Sequence, residues 1–324
     1  KQLIDGYIVL IKSHLIDGFF YLNNLIMYFK KDTQVYLNGK WLKASDAKTS
    51  YYDQTLHYGN GVFEGIRSYK TENGTKIFKA KEHFKRLLAS ANKMHIKINY
   101  NEDELINLSY ELLERNNLSN AYIRPLFSLG QNMGLTTVKD TNIFICAWEW
   151  GKYLGDEPLR VKLSSYRRPH PLSCHVEAKT VGHYINSILA TTEAKEKGYD
   201  EALLLDTDGF VAEGPGANFF YEKNNEIYTC PLGNILPGIT RSTVFEIADL
   251  LSIKINETRF KFDELKSADL AFFTGTAAEV APIRSIDNII FNKNWKTSKS
   301  YEIAKAYKKL VTGKLELKKN YEKV

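Results

Sequence analysis

Between residues 34 and 42, apolar side chains alternate with polar ones on both sides of Asn38-Gly39, as Gln-Val-Tyr-Leu and then Lys-Trp-Leu. A period of two marks a half-buried strand, and Asn-Gly suits a two-residue hairpin, so the fold is expected to open with paired strands. Val62–Tyr69 reads as another strand, Asn73-Gly74 as its turn and Lys76–Phe78 as the return. The period then changes. Phe84, Leu87, Leu88, Ala91 and Met94 form a helical stripe over about 82–94, and a second helix is expected over about 102–115. Residues 121–128 and 142–148 read as buried strands. Strands and helices mix here without strict alternation, which is an α+β pattern.

Trp150-Gly-Lys-Tyr-Leu-Gly-Asp-Glu-Pro158 interrupts the periodicity with two glycines and a proline. Beyond it come a strand at 160–166 and a helix from about Tyr184 to Lys197, stopped by Gly198. Strands at 201–206 and 210–212 flank Asp208-Gly209, and 218–221 and 226–228 continue the sheet. Leu236–Arg241 leading into a helix that runs to about Leu251, strands near 253–258 and 269–273, and a last helix at about 300–311 complete the pattern. The expected domains are therefore an extension at 1–32 outside the fold, a small α/β domain at 33–150, a linker at 151–158 and a large domain at 159–324. Residues 1–26, upstream of Met27, are too often broken by Asp5, Lys12, His14 and Asp17 for a membrane span or a signal-peptide centre.

Composition narrows the class. A chain of 324 residues with 44% hydrophobic and 25% charged residues is globular, long enough for two domains. Its net charge of +6 comes from lysines spread along the chain, with no basic stripe to suggest nucleic acid. That field suits an anionic small ligand, and solubility explains it equally well. The cysteines Cys146, Cys174 and Cys230 show no disulfide or metal-knuckle spacing, and the histidines no paired spacing, so a cytoplasmic protein without a metal is expected.

Several polar stretches are candidates for chemistry. Pro237-Gly-Ile-Thr240 and Thr274-Gly-Thr-Ala-Ala278 stand at the entries to helical or turn segments and suit an anion, although Thr240 as a plain helix cap explains its loop as well. Glu213-Gly-Pro-Gly-Ala-Asn218 places an acid at a strand end; if buried, Glu213 requires a cationic partner. Lys179, in Glu177-Ala-Lys-Thr-Val-Gly-His-Tyr184, lies between a polar loop and a helix start.

Taken in order, Leu56-His-Tyr-Gly59, Phe63-Glu-Gly-Ile-Arg67, Glu82-His-Phe-Lys-Arg86, Ala121-Tyr-Ile-Arg-Pro125, the Glu213 loop, Leu236-Pro-Gly-Ile-Thr-Arg241 and Gly275-Thr-Ala-Ala-Glu279 carry a resemblance. From about residue 33 onward the chain resembles the pyridoxal-phosphate enzymes of the D-amino-acid and branched-chain aminotransferase fold, fold type IV, and looks most like the branched-chain group. The resemblance implies two mixed α/β domains with the active site between them and at a dimer interface. It implies pyridoxal 5'-phosphate held as a Schiff base on Lys179, which also shuttles the proton between substrate Cα and C4′. By the same resemblance Tyr184 meets the cofactor's O3′, Glu213 its pyridine nitrogen, and Arg86, Ile239, Thr240 and Thr276 its phosphate. Asn218, Leu236, Gly238 and Gly275 complete the cofactor set. A protonated ring nitrogen serves as an electron sink, and an arginine fork matches a phosphate.

On the substrate side the resemblance implies an apolar wall of Tyr58, Phe63, Trp150, Tyr153 and Tyr184, with Gly65 in the same lining. Tyr122 and the Thr276-Ala277 backbone hold the α-carboxylate, and Arg124 takes glutamate's distal carboxylate. An arginine between Ile123 and Pro125 in a strand is costly to bury without a partner, which fits that role. Tyr58 and Met133-Gly-Leu135 are expected to reach the neighbouring subunit's site in a homodimer. The implied reaction moves an amino group from leucine, isoleucine or valine to 2-oxoglutarate by a ping-pong route. A D-amino-acid aminotransferase or aminodeoxychorismate lyase of the same fold is the alternative, and a silent scaffold that kept the fold is a third. Thr180-Val181, His183 and Pro215 depart from the residues common in the family.

Overall fold

The computed structural model describes residues 28–151, 154 and 157–317. Residues 1–27 of the expected extension therefore lie outside the described residues, as does Tyr153. Of the rest of the extension, Tyr28 sets its ring edge-on to Trp148 at 5.4 Å.

The first half contains β1 (Gln34–Leu37), β2 (Lys40–Lys43), α1 (Gln54–Tyr58), β3 (Gly61–Phe63), β4 (Ile66–Thr71), β5 (Gly74–Ile77), α2 (Ala80–Lys93), α3 (Glu102–Arg115), β6 (Ala121–Leu129) and β7 (Thr141–Trp148). The strands form one antiparallel sheet in the order β2-β1-β7-β6-β4-β5, with β3 also on β6. Asn38 and Gly39 adopt φ of 49° and 84°, the left-handed pair that lets β1 turn directly into β2. The apolar stripe of α2 packs with α3 onto the sheet, enclosing Phe84, Leu87, Leu112, Ile123 and Phe127. An Asn101–Glu104 capping box starts α3 by satisfying two otherwise unpaired donors.

The second half contains β8 (Leu159–Arg167), α4 (Tyr184–Glu196), β9 (Glu201–Leu205), β10 (Val211–Glu213), β11 (Asn218–Lys223), β12 (Glu226–Thr229), α5 (Ile239–Leu250), β13 (Ile255–Glu257), β14 (Leu270–Gly275), β15 (Glu279–Ile286), β16 (Ile289–Ile290) and α6 (Lys299–Val311). Its sheet runs β10-β9-β8-β15-β14-β11-β12-β13, and β10 also pairs with β11, which closes the first six of these strands into a ring. Phe219, Phe273, Val161 and Leu203 fill one core of this half, while α5 and α6 cover Phe220 and Phe272 in another.

Three features differ from the sequence pattern. The strand expected over Val62–Tyr69 is broken at Glu64-Gly65, where Glu64 N–H donates to the Pro125 carbonyl and its side chain turns into the interior. α1 is a single short turn with no room for an apolar stripe. β15 and β16 occupy 279–290, where no element is expected, because Pro282 and Arg284 interrupt the alternation of β15. Among the described residues no helix is long and apolar enough to cross a membrane.

Candidate active site

The segment between β8 and α4 carries Lys179 and is fastened to the first sheet. Phe63 N–H donates to the Lys179 carbonyl at 3.1 Å, Lys179 N–H to Ser90 Oγ at 3.1 Å, and Gly182 N–H to the Gly59 carbonyl at 3.0 Å. The crossing requires glycine: a Cβ on Gly59, already at φ +69°, would sit 2.7 Å from Gly182 Cα. Lys179 projects into a cavity of about 270 Å³ between the two halves. Its Nζ donates to the Tyr184 hydroxyl at 2.7 Å and lies 5.1 Å from the centre of the Phe63 ring.

Glu213 is buried at one end of this cavity. Asn218 Nδ2 donates to its Oε2 at 3.0 Å, Leu236 N–H to its Oε1 at 3.2 Å, and Arg168 Nε lies 2.9 Å from Oε1. Burial raises its carboxyl from the ordinary value, with Arg168 the chief opposing influence. A buried Glu213 does have a cation against it, and that cation is the protein's own.

At another part of the wall, Arg86 meets the start of α5, donating from Nη1 to the Pro237 carbonyl at 2.8 Å. Gly238 is the N-cap and Thr240 the second helical residue, so no capping hydroxyl covers the α5 amides. A Cβ on Gly238 would fall 2.0 Å from Asn218 Oδ1. Thr274 Oγ1 is buried in the wall and has no hydrogen-bond partner among the described residues. Thr276 to Ala278 form the hairpin turn from β14, which ends at Gly275, to β15. The donor set fits a phosphorylated, cationic ring: an arginine and uncapped helix amides for an anion, a carboxylate for a ring N–H, and an amine between them.

Phe63, Gly65, Tyr122, Arg124, Trp150, Thr276 and Ala277 line the same cavity. The Arg124 guanidinium stands 4.7 Å from the Phe63 ring centre and 5.2 Å from that of Tyr122, and its Nη2 donates to the Tyr122 hydroxyl at 3.2 Å. Among the described residues its buried Nε has no hydrogen-bond partner and no carboxylate pairs with it. Leu236, Ile239 and Thr240 are also at the wall. Tyr58, Met133 and Leu135 are not: they stand together on the exposed surface, joined by a 3.1 Å hydrogen bond from the Tyr58 hydroxyl to the Met133 carbonyl. Among the described residues no cluster of His, Cys, Asp and Glu suits a metal.

Sequence reasoning missed Glu64, His83 and Arg168. Burial alone would push the Glu64 carboxyl up, but Arg86 and His83 facing it hold it well below the usual carboxylate range. His83 is itself held below its ordinary value by burial, and its Nδ1 donates to the Glu64 carboxylate at 2.8 Å. One signal was available: His83, Arg86 and Ser90 recur at helical spacing as a polar edge beside the apolar stripe of α2.

Residues 61–286 match the model of the family described as amino-transferase class IV, more than half of the chain. The chain belongs to this family. The branched-chain-amino-acid aminotransferase of Pseudomonas aeruginosa is 42% identical over 292 residues, covering 88% of this chain and 95% of the relative. The crystal structure of the Escherichia coli branched-chain amino acid aminotransferase superposes with a TM-score of 0.86 at 35% identity, covering 90% of this chain and 98% of that one. The T.th. branched-chain amino acid aminotransferase complexed with N-(5'-phosphopyridoxyl)-L-glutamate gives a TM-score of 0.82 at 38% identity, with 88% and 96% covered. As a class IV aminotransferase the chain is an enzyme with the fold-type-IV architecture, α+β with both sheets facing the cavity.

Proposed function

We propose that the enzyme binds pyridoxal 5'-phosphate on Lys179 and transfers amino groups reversibly between leucine, isoleucine or valine and 2-oxoglutarate. The observation that carries this reading is the Lys179–Tyr184 pair, 2.7 Å apart, in a cavity that also presents the Glu213 carboxylate and Arg86. The names of the Pseudomonas aeruginosa and Escherichia coli relatives support the branched-chain assignment, and the T.th. complex supports both cofactor and glutamate.

When bound, the cofactor supplies an aldehyde that accepts the amino group and a cationic ring that delocalises the electrons left at Cα. Lys179 would offer the amine that holds the cofactor and would move the proton at the substrate Cα. Tyr184 holds Lys179 Nζ in place. Glu213 would hold the ring N–H, while Arg86 and the amides of Ile239 and Thr240 would hold the phosphate, with Thr276 completing the cup. Phe63 and Trp150 exclude water around the branched side chain. Tyr122 and the Thr276-Ala277 turn hold the α-carboxylate, and Arg124, a cation without an acidic partner among the described residues, takes the distal carboxylate of glutamate.

The two sheets are read as the two domains, joined through 151–158. We propose a homodimer in which Tyr58, Met133 and Leu135 serve the neighbouring subunit's cavity, a reading supported by their exposure as apolar side chains outside their own. A cytoplasmic setting belongs to the same reading; three unbridged cysteines suit a reducing compartment. The test is the visible spectrum of the purified protein before and after leucine. A band that shifts with leucine and returns with 2-oxoglutarate is expected, and a colourless protein with no such band overturns the proposal.

A further inference from the structure

Glu64 lies between two cavity-lining residues, Phe63 and Gly65, and takes no part in the chemistry above. Its side chain is fully buried, yet four donors converge on its two oxygens. Arg86 Nε donates to Oε1 at 2.6 Å, Arg86 Nη2 to Oε2 at 3.0 Å, His83 Nδ1 to Oε2 at 2.8 Å, and Gly65 N–H to Oε2 at 3.1 Å. We propose that Glu64 is a positioning residue that fixes the Arg86 guanidinium as a phosphate receptor, with His83 bracing the carboxylate from the same face of α2. This rests on the reading of Arg86 as the arginine that meets the cofactor's phosphate.

The donor count supports the role. A guanidinium has five N–H groups. Two go to Glu64 and one, from Nη1, to the Pro237 carbonyl, so one N–H remains on each terminal nitrogen. Those two belong to a group whose plane is fixed from behind by Glu64 and from the side by Pro237, at the wall where α5 begins. An arginine on a long flexible stem would otherwise lose rotamer freedom each time it gripped an anion; here that ordering is built into the fold. The pairing also sets the charge. Arg86 with Glu64 is neutral as a unit, so the arginine serves the phosphate as a shaped pair of donors, and the uncapped amides of α5 add their share. The break between β3 and β4 serves this placement, because it lets one peptide turn Glu64 inward while its neighbours line the cavity.

The test compares cofactor binding with and without the phosphate in the full chain. Release of pyridoxal phosphate from holoenzyme, and reconstitution with pyridoxal, are followed by the visible band in Glu64→Gln, Arg86→Met and the double variant. Glu64→Gln is expected to weaken pyridoxal phosphate about tenfold, the order of one charge-assisted hydrogen bond, while pyridoxal binds as before. In the Arg86→Met background the same change is expected to add no further loss. Glu64→Asp keeps the buried charge, and with it the fold, but draws the oxygens back by one methylene; it is expected to weaken pyridoxal phosphate selectively too, and serves if Glu64→Gln does not fold. Loss of pyridoxal and pyridoxal phosphate in parallel, or additive losses in the double variant, would overturn the proposal. If Arg86→Met binds pyridoxal phosphate normally, the phosphate reading of Arg86 fails as well; if Arg86→Met weakens it and neither Glu64 variant does, only the positioning role fails.

Discussion

Arg168 Nε stands 2.9 Å from Glu213 Oε1, with both side chains more than nine-tenths buried. The carboxylate assigned to the cofactor's ring nitrogen thus has a protein cation at its other side. Removing that cation leaves a buried charge unpaired, so Arg168→Met is expected to destabilise the enzyme by about 3–5 kcal/mol near neutral pH.

The loss should depend on pH in a stated direction. Glu213 titrates above its ordinary value, burial being the larger cause and Arg168 the chief opposing one. A carboxyl raised by folding binds protons more readily when folded, so its contribution is fully present below the unfolded carboxyl pKa and is lost as pH rises through the folded one. Without Arg168 the folded value climbs further, and the window of loss widens upward. Thermal melts of wild type and Arg168→Met across mildly acidic to neutral pH should therefore diverge as pH increases. Curves that stay parallel would contradict the pairing.

Lys179 and Tyr184 make a separable prediction. Tyr184→Phe removes the hydroxyl 2.7 Å from Lys179 Nζ while keeping the ring against Phe63, whose centre is 4.8 Å away. One hydrogen bond to a group that is charged in part of the cycle corresponds to about 1.5–3 kcal/mol, so kcat is expected to fall roughly 10- to 150-fold with melting temperature little changed. Lys179→Ala should abolish turnover and the spectral shift with leucine. A Lys179→Ala enzyme that turns over normally would remove the lysine from the mechanism.

The site was only partly legible in the sequence, for a physical reason. Local periodicity reports what one element does with its own faces, and it foretold the Asn38-Gly39 hairpin, α2, α3 and α4 closely. Buried ion pairs are made between elements: Glu64 meets His83 from 19 residues away, and no spacing rule brings Arg168 to Glu213. Arg167 and Arg168 look equivalent as neighbours, yet the first is exposed and the second buried. The polar edge of α2 was visible but reads as solvated surface until the Lys179 loop is seen docking on Ser90. β15 escaped because its burial pattern does not alternate cleanly, being set by neighbours on both sides, β8 and β14.

Arg124 should divide the two half-reactions. Its guanidinium is stacked among Phe63, Tyr122 and Trp148 and has no acid partner among the described residues. Arg124→Met keeps an apolar stem of similar length in that box. The expected outcome is a kcat/KM for 2-oxoglutarate reduced by about 10- to 150-fold, the range for a hydrogen-bonded charge, against a change of less than about threefold for leucine. Equal losses for both substrates would show that Arg124 supports the wall and does not read the distal carboxylate.

Gly65→Ala tests how tightly the α-carboxylate side is built. A Cβ there would lie 1.9 Å from the Tyr122 hydroxyl oxygen and 2.7 Å from Cζ. Gly65 is not among the residues with positive φ, so the substitution adds no backbone strain and acts through space alone. The Tyr122 ring has little freedom to retreat: Trp150 meets it at 4.7 Å, Trp148 at 5.1 Å and Arg124 at 5.2 Å. Overpacking of this kind costs about 1–3 kcal/mol, to be seen as a lowered melting temperature. Because Tyr122 must shift, its 3.2 Å bond with Arg124 should break, and kcat/KM should fall for leucine and 2-oxoglutarate alike. Adding Tyr122→Leu, which removes the obstructing hydroxyl and ring edge, should restore much of the stability without restoring activity. A Gly65→Ala enzyme with unchanged melting temperature and kinetics would mean that Tyr122 is loosely held, and would remove it as the fixed partner of the α-carboxylate.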